Sequence, residues 1–160
     1  NYSHASVMYN TLHEIIEMQK FVQVGFRDLS EHEWQFINKN SSRVVTYFDK
    51  DIRRRQFEGD SWKQIAEEIV SQLPEKVFIS FDIDGLDPKL CPNTGTPVPG
   101  GFETEQVFYL FSKVIQSGRK LAGFDLNEVG VGEGDWDANV GARVLFKLCN
   151  LLVASNTANP

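Results

Sequence analysis

The sequence has few cysteines, no long apolar run and no excess of basic residues. Its 160 residues include only Cys91 and Cys149, which are too few for a disulfide framework. No run of about 18 apolar residues occurs, so we expect no membrane span. With 16 Lys+Arg against 22 Asp+Glu, the net charge of −6 disfavours nucleic acid and anionic membranes as partners. We therefore expect a protein of a reducing compartment, by default the cytoplasm.

What remains is the composition of an ordinary globular domain. Hydrophobic residues make up 41% of the chain and charged residues 24%, a balance that argues against disorder. A chain of this length can bury a core of its own. We therefore expect residues 1–160 to form a single domain.

Helix-like and strand-like patterns alternate along the chain. Short apolar or β-branched runs predict strands at residues 21–26, 44–48, 77–83 and 120–126. Apolar stripes with capping residues predict helices over residues 7–19, 31–39, about 61–73, 104–116 and about 136–153. This alternation predicts a three-layer α/β/α fold with a mostly parallel sheet. The uninterrupted apolar character of residues 77–83 further suggests that both faces of that strand are covered.

Acidic residues stand at the end of the clearest strand, in the sequence SFDIDGLDP at residues 80–88. Sites of parallel sheets form where the strands end at their carboxyl side. Because side chains alternate along a strand, Asp82 and Asp84 are expected to share one face and to repel each other. A divalent cation removes that repulsion, and oxygen ligands favour Mg²⁺ or Mn²⁺. The competing interpretation is that both residues simply cap the loop. Asp87, which precedes Pro88, is expected to hold the turn in this way.

Two known patterns with an Asp-x-Asp-Gly strand end fit only in part. Haloacid-dehalogenase-like phosphatases use the leading Asp as a nucleophile, but they carry Thr where this chain has Leu86. A calcium loop of the EF-hand kind needs acidic residues at positions 1, 3 and 5 and Glu at 12, a spacing that this segment misses. A Mg²⁺-dependent phosphohydrolase with Asp82 as nucleophile stays open as an alternative.

A third pattern covers most of the chain. Residues 80–88, followed by PNTGTPVPGG at residues 92–101, closely resemble the ureohydrolase family of arginase, agmatinase and formimidoylglutamase. The sequence GFDLNEV at residues 123–129 resembles the family's later strand, which ends in a substrate-binding Glu. Residues 2–8 resemble the segment that carries the family's active-site His, most closely its form in agmatinases.

The resemblance implies an arginase-like fold and hydrolysis of a guanidino carbon–nitrogen bond, with release of urea and with two Mn²⁺ ions as cofactors. It implies that Asp82 bridges the metals as part of the catalytic centre and that Asp84 ligates one of them. Glu128 would pair with the guanidinium group, and Thr96, in the loop that shapes the substrate pocket, would also bind the substrate. His4 would carry a proton to the leaving amine, a task that suits a group titrating near neutral pH.

The family pattern is incomplete in this chain. Relatives supply further metal ligands from a Gly-Gly-x-His loop and an Asp-Ala-His-x-Asp strand end, and neither motif occurs here. We therefore expect the carboxyl-terminal portion of a longer enzyme, inactive alone and a homo-oligomer when complete. Agmatine, cleaved to putrescine and urea, is the preferred small-molecule substrate. Arginase or formimidoylglutamase activity and a non-catalytic oligomerisation or binding module stay open.

Overall fold

Helices and strands alternate along residues 6–157, the part of the chain that the computed structural model describes. In chain order they are α1 (Val7–Glu14), β1 (Phe21–Phe26), α2 (Glu31–Lys39), β2 (Val44–Phe48), α3 (Asp49–Phe57), α4 (Trp62–Ser71), β3 (Lys76–Asp82), α5 (Thr104–Gln116), β4 (Lys120–Asn127) and α6 (Trp136–Thr157). All four predicted strands are confirmed to within one residue at each end. The first helix is shorter than predicted, because it ends at Glu14.

Helix α3 is the element that the sequence patterns did not predict. Its sequence, DKDIRRRQF, carries only two apolar residues, so it shows no stripe of helical period. Ile52 alone anchors it in the core, and its other stabilising feature is electrostatic. Asp49 and Asp51 lie in its first turn and Arg54 and Arg55 in its last, which is the charge order that complements the helix dipole.

The helix starts that the sequence predicted from capping residues are confirmed. The Ser30 side chain accepts from the Glu33 backbone N–H, and the Glu33 carboxylate accepts from the Ser30 N–H in return. The same reciprocal pair forms between Ser61 and Gln64 at the start of α4. These capping boxes satisfy amide groups that the first helical turn leaves without partners.

The strands form two separate parallel pairs, β1 with β2 and β3 with β4. The predicted α/β class with parallel strands is therefore confirmed. Asp82 lies opposite Asn127 in the second pair, so the two strands end side by side.

Arg27, the residue after β1, connects the two pairs at the carboxyl edge of the strands. Its guanidinium group donates to the carbonyls of Gly85 at 3.4 Å and Leu86 at 3.5 Å, and also to that of Asp84. These three carbonyls belong to the 3₁₀ turn Ile83–Gly85 and the residue that follows it. One side chain thus holds the end of β3 against the end of β1.

The main core lies on one face of β3, where it joins buried residues of α4, α5 and α6. Side chains of β3 alternate between buried Val77, Ile79 and Phe81 and exposed Lys76, Phe78, Ser80 and Asp82. The prediction that both faces of this strand are covered is therefore wrong for the part of the chain described here. The prediction treated Phe78 as buried because its side chain is apolar. In the fold, the Phe78 side chain is 59% exposed.

Helix α6 has a buried side and an apolar exposed side. Val144 and Leu148 are buried in the core, whereas Phe146 and Val153 face outward. Within residues 6–157 this is the one helix whose length and composition would also suit a bilayer span, although core helices meet the same criteria. A third of its apolar stretch is buried in the protein.

The two leucines of α6 provide a matched test of the core. Leu148 is fully buried and Leu145 is 44% exposed. We expect Leu148→Ala to lower the free energy of unfolding of the 160-residue chain by about 2–4 kcal/mol, because it removes apolar contacts and leaves a cavity. Leu145→Ala should cost less than about 1 kcal/mol. Urea denaturation measures both values, and equal losses would contradict the described orientation of α6.

Candidate functional site

The ends of β3 and β4 bring together three of the acidic residues that the sequence singled out. Asp82 is the last residue of β3, and Glu128 directly follows β4. Asp84 lies in the 3₁₀ turn rather than on the strand, so strand alternation does not place it beside Asp82. The turn does so instead, and the charges of both Asp84 and Glu128 act on Asp82.

The electrostatic consequence falls on Asp82. Although Asp82 is exposed as a residue, the surrounding protein removes part of the water around its carboxyl; this desolvation, and then the negative charge of Asp84, raise the pKa of Asp82 above its ordinary value. Glu128 and Asp125 add to the increase, while a hydrogen bond from Asn127 opposes it. The site therefore concentrates negative charge, and within residues 6–157 no Lys, Arg or His side chain forms an ion pair with Asp82.

A polar network on the neighbouring strand supports this end of the sheet. The Ser80 hydroxyl donates to Asp125 Oδ1 at 2.8 Å, and Asn127 Nδ2 donates to the same oxygen at 2.6 Å. Sequence reasoning missed Asp125 and Asn127 as contributors. The strand period places residues 125 and 127 on one face, but their position opposite Ser80 and Asp82 comes from the register of the two strands, which the sequence does not show.

The loop that contains Thr94 and Thr96 contacts both ends of the acidic cluster. Thr94 Oγ1 donates to the backbone carbonyl of Glu128 at 2.9 Å. Thr96 Oγ1 donates to Asp84 Oδ2 at 3.2 Å. Thr96 was predicted to bind substrate, and the structure places its hydroxyl on the Asp84 carboxylate. Between the two threonines, Gly95 lies against Glu128 Oε2.

Glu128 has an unusual backbone conformation. Its φ of 62° lies in the left-handed region, and within residues 6–157 it is the one non-glycine residue with positive φ. An L-residue pays about 1–2 kcal/mol for that conformation. Such strain persists where the surroundings impose it and is frequent at functional sites. The hydrogen bond from buried Thr94 to the Glu128 carbonyl is one such constraint.

The donor chemistry of Asp82 and Asp84 suits a hard dication such as Mn²⁺ or Mg²⁺, and the repulsion at Asp82 is what a dication relieves. Within residues 6–157, however, no group of three or more His, Cys, Asp or Glu side chains is gathered to hold a metal. The two aspartates thus fit as part of a metal site. His4, the predicted proton carrier, lies outside the described residues.

Comparisons with known proteins agree with this geometry. The model of the arginase family matches residues 1–149. An N(1)-aminopropylagmatine ureohydrolase of Thermus thermophilus is 34% identical over 144 residues, which are 90% of this chain and 44% of that protein. An agmatinase of Proteus mirabilis is 32% identical over 156 residues, which are 96% of this chain and 46% of that protein. The chain belongs to the arginase family.

A solved structure supports the same assignment at the level of the fold. The proclavaminate amidino hydrolase of Streptomyces clavuligerus superposes with a TM-score of 0.79 at 23% identity, covering 96% of this chain and 50% of the other. The predicted arginase-like fold is therefore confirmed. The chain spans about half the length of the relatives that it matches.

The strained backbone at Glu128 can be tested by measuring the stability of two variants. Glycine adopts positive φ without a steric penalty, whereas alanine does not. We expect Glu128→Gly to leave the 160-residue chain more stable than Glu128→Ala by about 1 kcal/mol in urea denaturation. The matched pair for comparison is Glu75→Gly and Glu75→Ala, because residue 75 is not in the left-handed region and alanine should be the better substitute there. The same order at both positions would contradict the strain at Glu128.

The raised pKa of Asp82 leads to a second prediction, which concerns the pH dependence of stability in the metal-free chain. Because its pKa is raised in the folded state, the Asp82 carboxyl is stabilised there in its neutral form. The stability that this neutral form contributes is present at low pH and is lost as the pH rises through the raised pKa. Asp82→Asn should therefore be more stable than the unsubstituted chain at pH 7 with a chelator present. The gain should vanish near about pH 4.

Unfolding midpoints measured at both pH values test this expectation. Asp87→Asn is the control, because Asp87 lies only five residues further along the chain and its side chain already accepts a hydrogen bond from the Lys89 N–H at 3.0 Å. It should gain no stability at pH 7. If Asp82→Asn is less stable than the unsubstituted chain at pH 7, the electrostatic description of Asp82 is wrong.

Proposed function

We propose that the chain forms the carboxyl-terminal part of a manganese-dependent ureohydrolase that hydrolyses agmatine to putrescine and urea. One observation carries the proposal. A single loop lies beside both carboxylates: Thr96 donates to Asp84 Oδ2, and a Cβ atom added at the neighbouring Gly95 would lie 3.5 Å from Glu128 Oε2. A metal-type carboxylate and a carboxylate suited to a guanidinium group are therefore near one place. Membership of the arginase family supports hydrolysis of guanidino compounds as the class of reaction.

In the complete enzyme, Asp82 and Asp84 would hold manganese together with ligands from other parts of the protein. The chemistry that bound manganese would supply is a lowered pKa of water, which suits hydrolysis of an otherwise unreactive guanidinium carbon. The chain's own contribution is to keep two carboxylates close despite their repulsion. The backbone anchors this arrangement, since Arg27 holds the carbonyls of the turn that carries Asp84.

Glu128 is proposed to bind the guanidinium group of the substrate. A carboxylate presents two oxygens whose spacing matches the planar N–H donors of a guanidinium, which fixes the orientation of the central carbon. The residue follows β4, beside the end of β3 and Asp82. The left-handed backbone at Glu128 gives its side chain a direction that an extended strand would not allow.

His4 is proposed to carry a proton to the leaving amine, and this role rests on the family resemblance of residues 2–8. The preference for agmatine is supported by two relatives, at 34% and 32% identity, whose names include agmatine or an aminopropyl derivative of it. The proposal also includes homo-oligomeric assembly and a cytoplasmic location. Those parts rest on the family resemblance and on the composition.

An assay of urea release by the full-length protein with Mn²⁺ tests the proposal. Agmatine, arginine and aminopropylagmatine are offered separately, and agmatine is expected to have the highest kcat/KM. Asp82→Asn should lower kcat/KM by more than about 100-fold, because even residues that only orient metal ligands contribute about 10- to 100-fold. Asp87→Asn serves as the control a few residues further along the chain and should stay within about threefold of the unsubstituted protein.

Two outcomes would overturn the proposal. Urea release from arginine but not from agmatine would show that arginine, and not agmatine, is the substrate. Absence of urea from every guanidino compound, together with a phosphoaspartate trapped at Asp82, would replace the reaction with phosphoryl hydrolysis.

A further inference from the structure

A buried carboxylate at the start of α6 is tied to the loop that contacts the acidic cluster. Asp137 lies in the first turn of α6 and is 1% exposed. Its Oδ2 accepts from the Asn93 backbone N–H at 3.0 Å, and its Oδ1 accepts from Asn93 Nδ2 at 2.8 Å. Buried charges are costly unless they are hydrogen-bonded, so both bonds are strongly favoured.

Asn93 also contacts the segment that follows Glu128, at Gly130 and Gly132. A Cβ atom at Gly130 would collide with the Asn93 carbonyl, and one at Gly132 would collide with the Asn93 side-chain amide. The backbone therefore passes against Asn93 twice within a few residues of Glu128. Movement of Asn93 would displace this segment directly.

The contacts continue from Asn93 to the proposed site. Thr94 is buried and donates to the Glu128 carbonyl at 2.9 Å, and Thr96 donates to Asp84 at 3.2 Å. The loop 93–96 thus has its start fixed to α6, its middle fixed to Glu128 and its end fixed to Asp84.

We propose that Asn93 and Asp137 are positioning residues, which set the location of Glu128 relative to Asp82 and Asp84 without touching the substrate. We name their paired hydrogen bonds the Asn93–Asp137 clamp. The inference rests on the proposed function of Glu128 as the guanidinium ligand. If Glu128 holds the guanidinium group, the clamp also controls where the substrate carbon lies. That position matters, because a misplacement of about 1 Å can lower the rate about 100-fold.

Exchanging the two side chains separates this role from simple structural support. Asp137→Ala removes both acceptors, and Asn93→Asp places two carboxylates together, so each of these single variants breaks the clamp. In the double variant Asn93→Asp with Asp137→Asn, the amide at position 137 accepts from the backbone N–H of residue 93 and donates to the carboxylate there. Both hydrogen bonds are thereby restored with the same net charge.

Kinetics of the full-length, Mn²⁺-loaded protein are the first measurement. We expect each single variant to lower kcat/KM for the preferred guanidino substrate by about 10- to 100-fold with unchanged manganese content. The double variant should recover to within about threefold of the unsubstituted protein. Asp135→Asn is the matched control, an exposed aspartate two residues from Asp137, and should leave kcat and KM unchanged.

Thr94→Val gives a second variant that leaves both side chains of the clamp in place. It removes only the hydroxyl that bonds the Glu128 carbonyl, with little change of volume, and should reproduce the loss of kcat/KM. Unfolding midpoints are measured in parallel. Lower midpoints with unchanged kcat and KM in all the single variants would show that the clamp only stabilises the fold, and would overturn the proposal.

Amide hydrogen exchange provides a readout that does not depend on activity. In the single clamp variants, peptides covering residues 90–96 and 127–133 should exchange about tenfold faster, while residues 76–82 should not change. Unchanged exchange in both loop peptides would contradict the clamp whatever the kinetics show. Faster exchange in a protein that releases no urea from any guanidino compound would leave the clamp standing and reject the proposed function instead.

Discussion

The crowding of negative charge at the carboxyl edge of β3 and β4 is the constraint on which the rest of the site depends. Asp82 ends one strand, Asp84 lies in the turn that follows that strand, and Glu128 follows the neighbouring strand. Desolvation of the Asp82 carboxyl, together with their mutual repulsion, raises the pKa of Asp82. A fold tolerates such an arrangement where its backbone is strongly held, and where a cation can relieve the repulsion.

The backbone is held from two directions. Arg27 anchors the turn after β3 by donating to its carbonyls, and Thr94 anchors the residue after β4. The first contact joins the two strand pairs, and the second joins two loops that are far apart in sequence. The strained φ of Glu128 shows that these contacts impose a conformation that the chain would not choose alone. Rigidity at this edge is therefore a product of packing, which suits a site that must hold a planar cationic group.

Much of the local structure was predictable because it depends on neighbours in sequence. Ser30 with Glu33 and Ser61 with Gln64 marked their helix starts correctly, since capping boxes act over three residues. Phe78 and Asp84 were not predicted correctly. Burial of Phe78 depends on whether anything packs against its side of the sheet, and the position of Asp84 depends on where β3 gives way to a turn. Neither is a property of the residue or of its neighbours.

The sequence by itself determined the alternation of helices and strands and the acidic pair after β3, and its motifs pointed to the ureohydrolase family. These depend on periodicity, capping and spacing, which act within one segment. The tertiary structure alone decided that Asn93 meets Asp137, 44 residues away in sequence, and that Asn127 lies opposite Asp82. Contacts of that kind arise from the register of parallel strands and from the docking of α6. Both are set by the packing of whole elements, for which a single segment carries no signal.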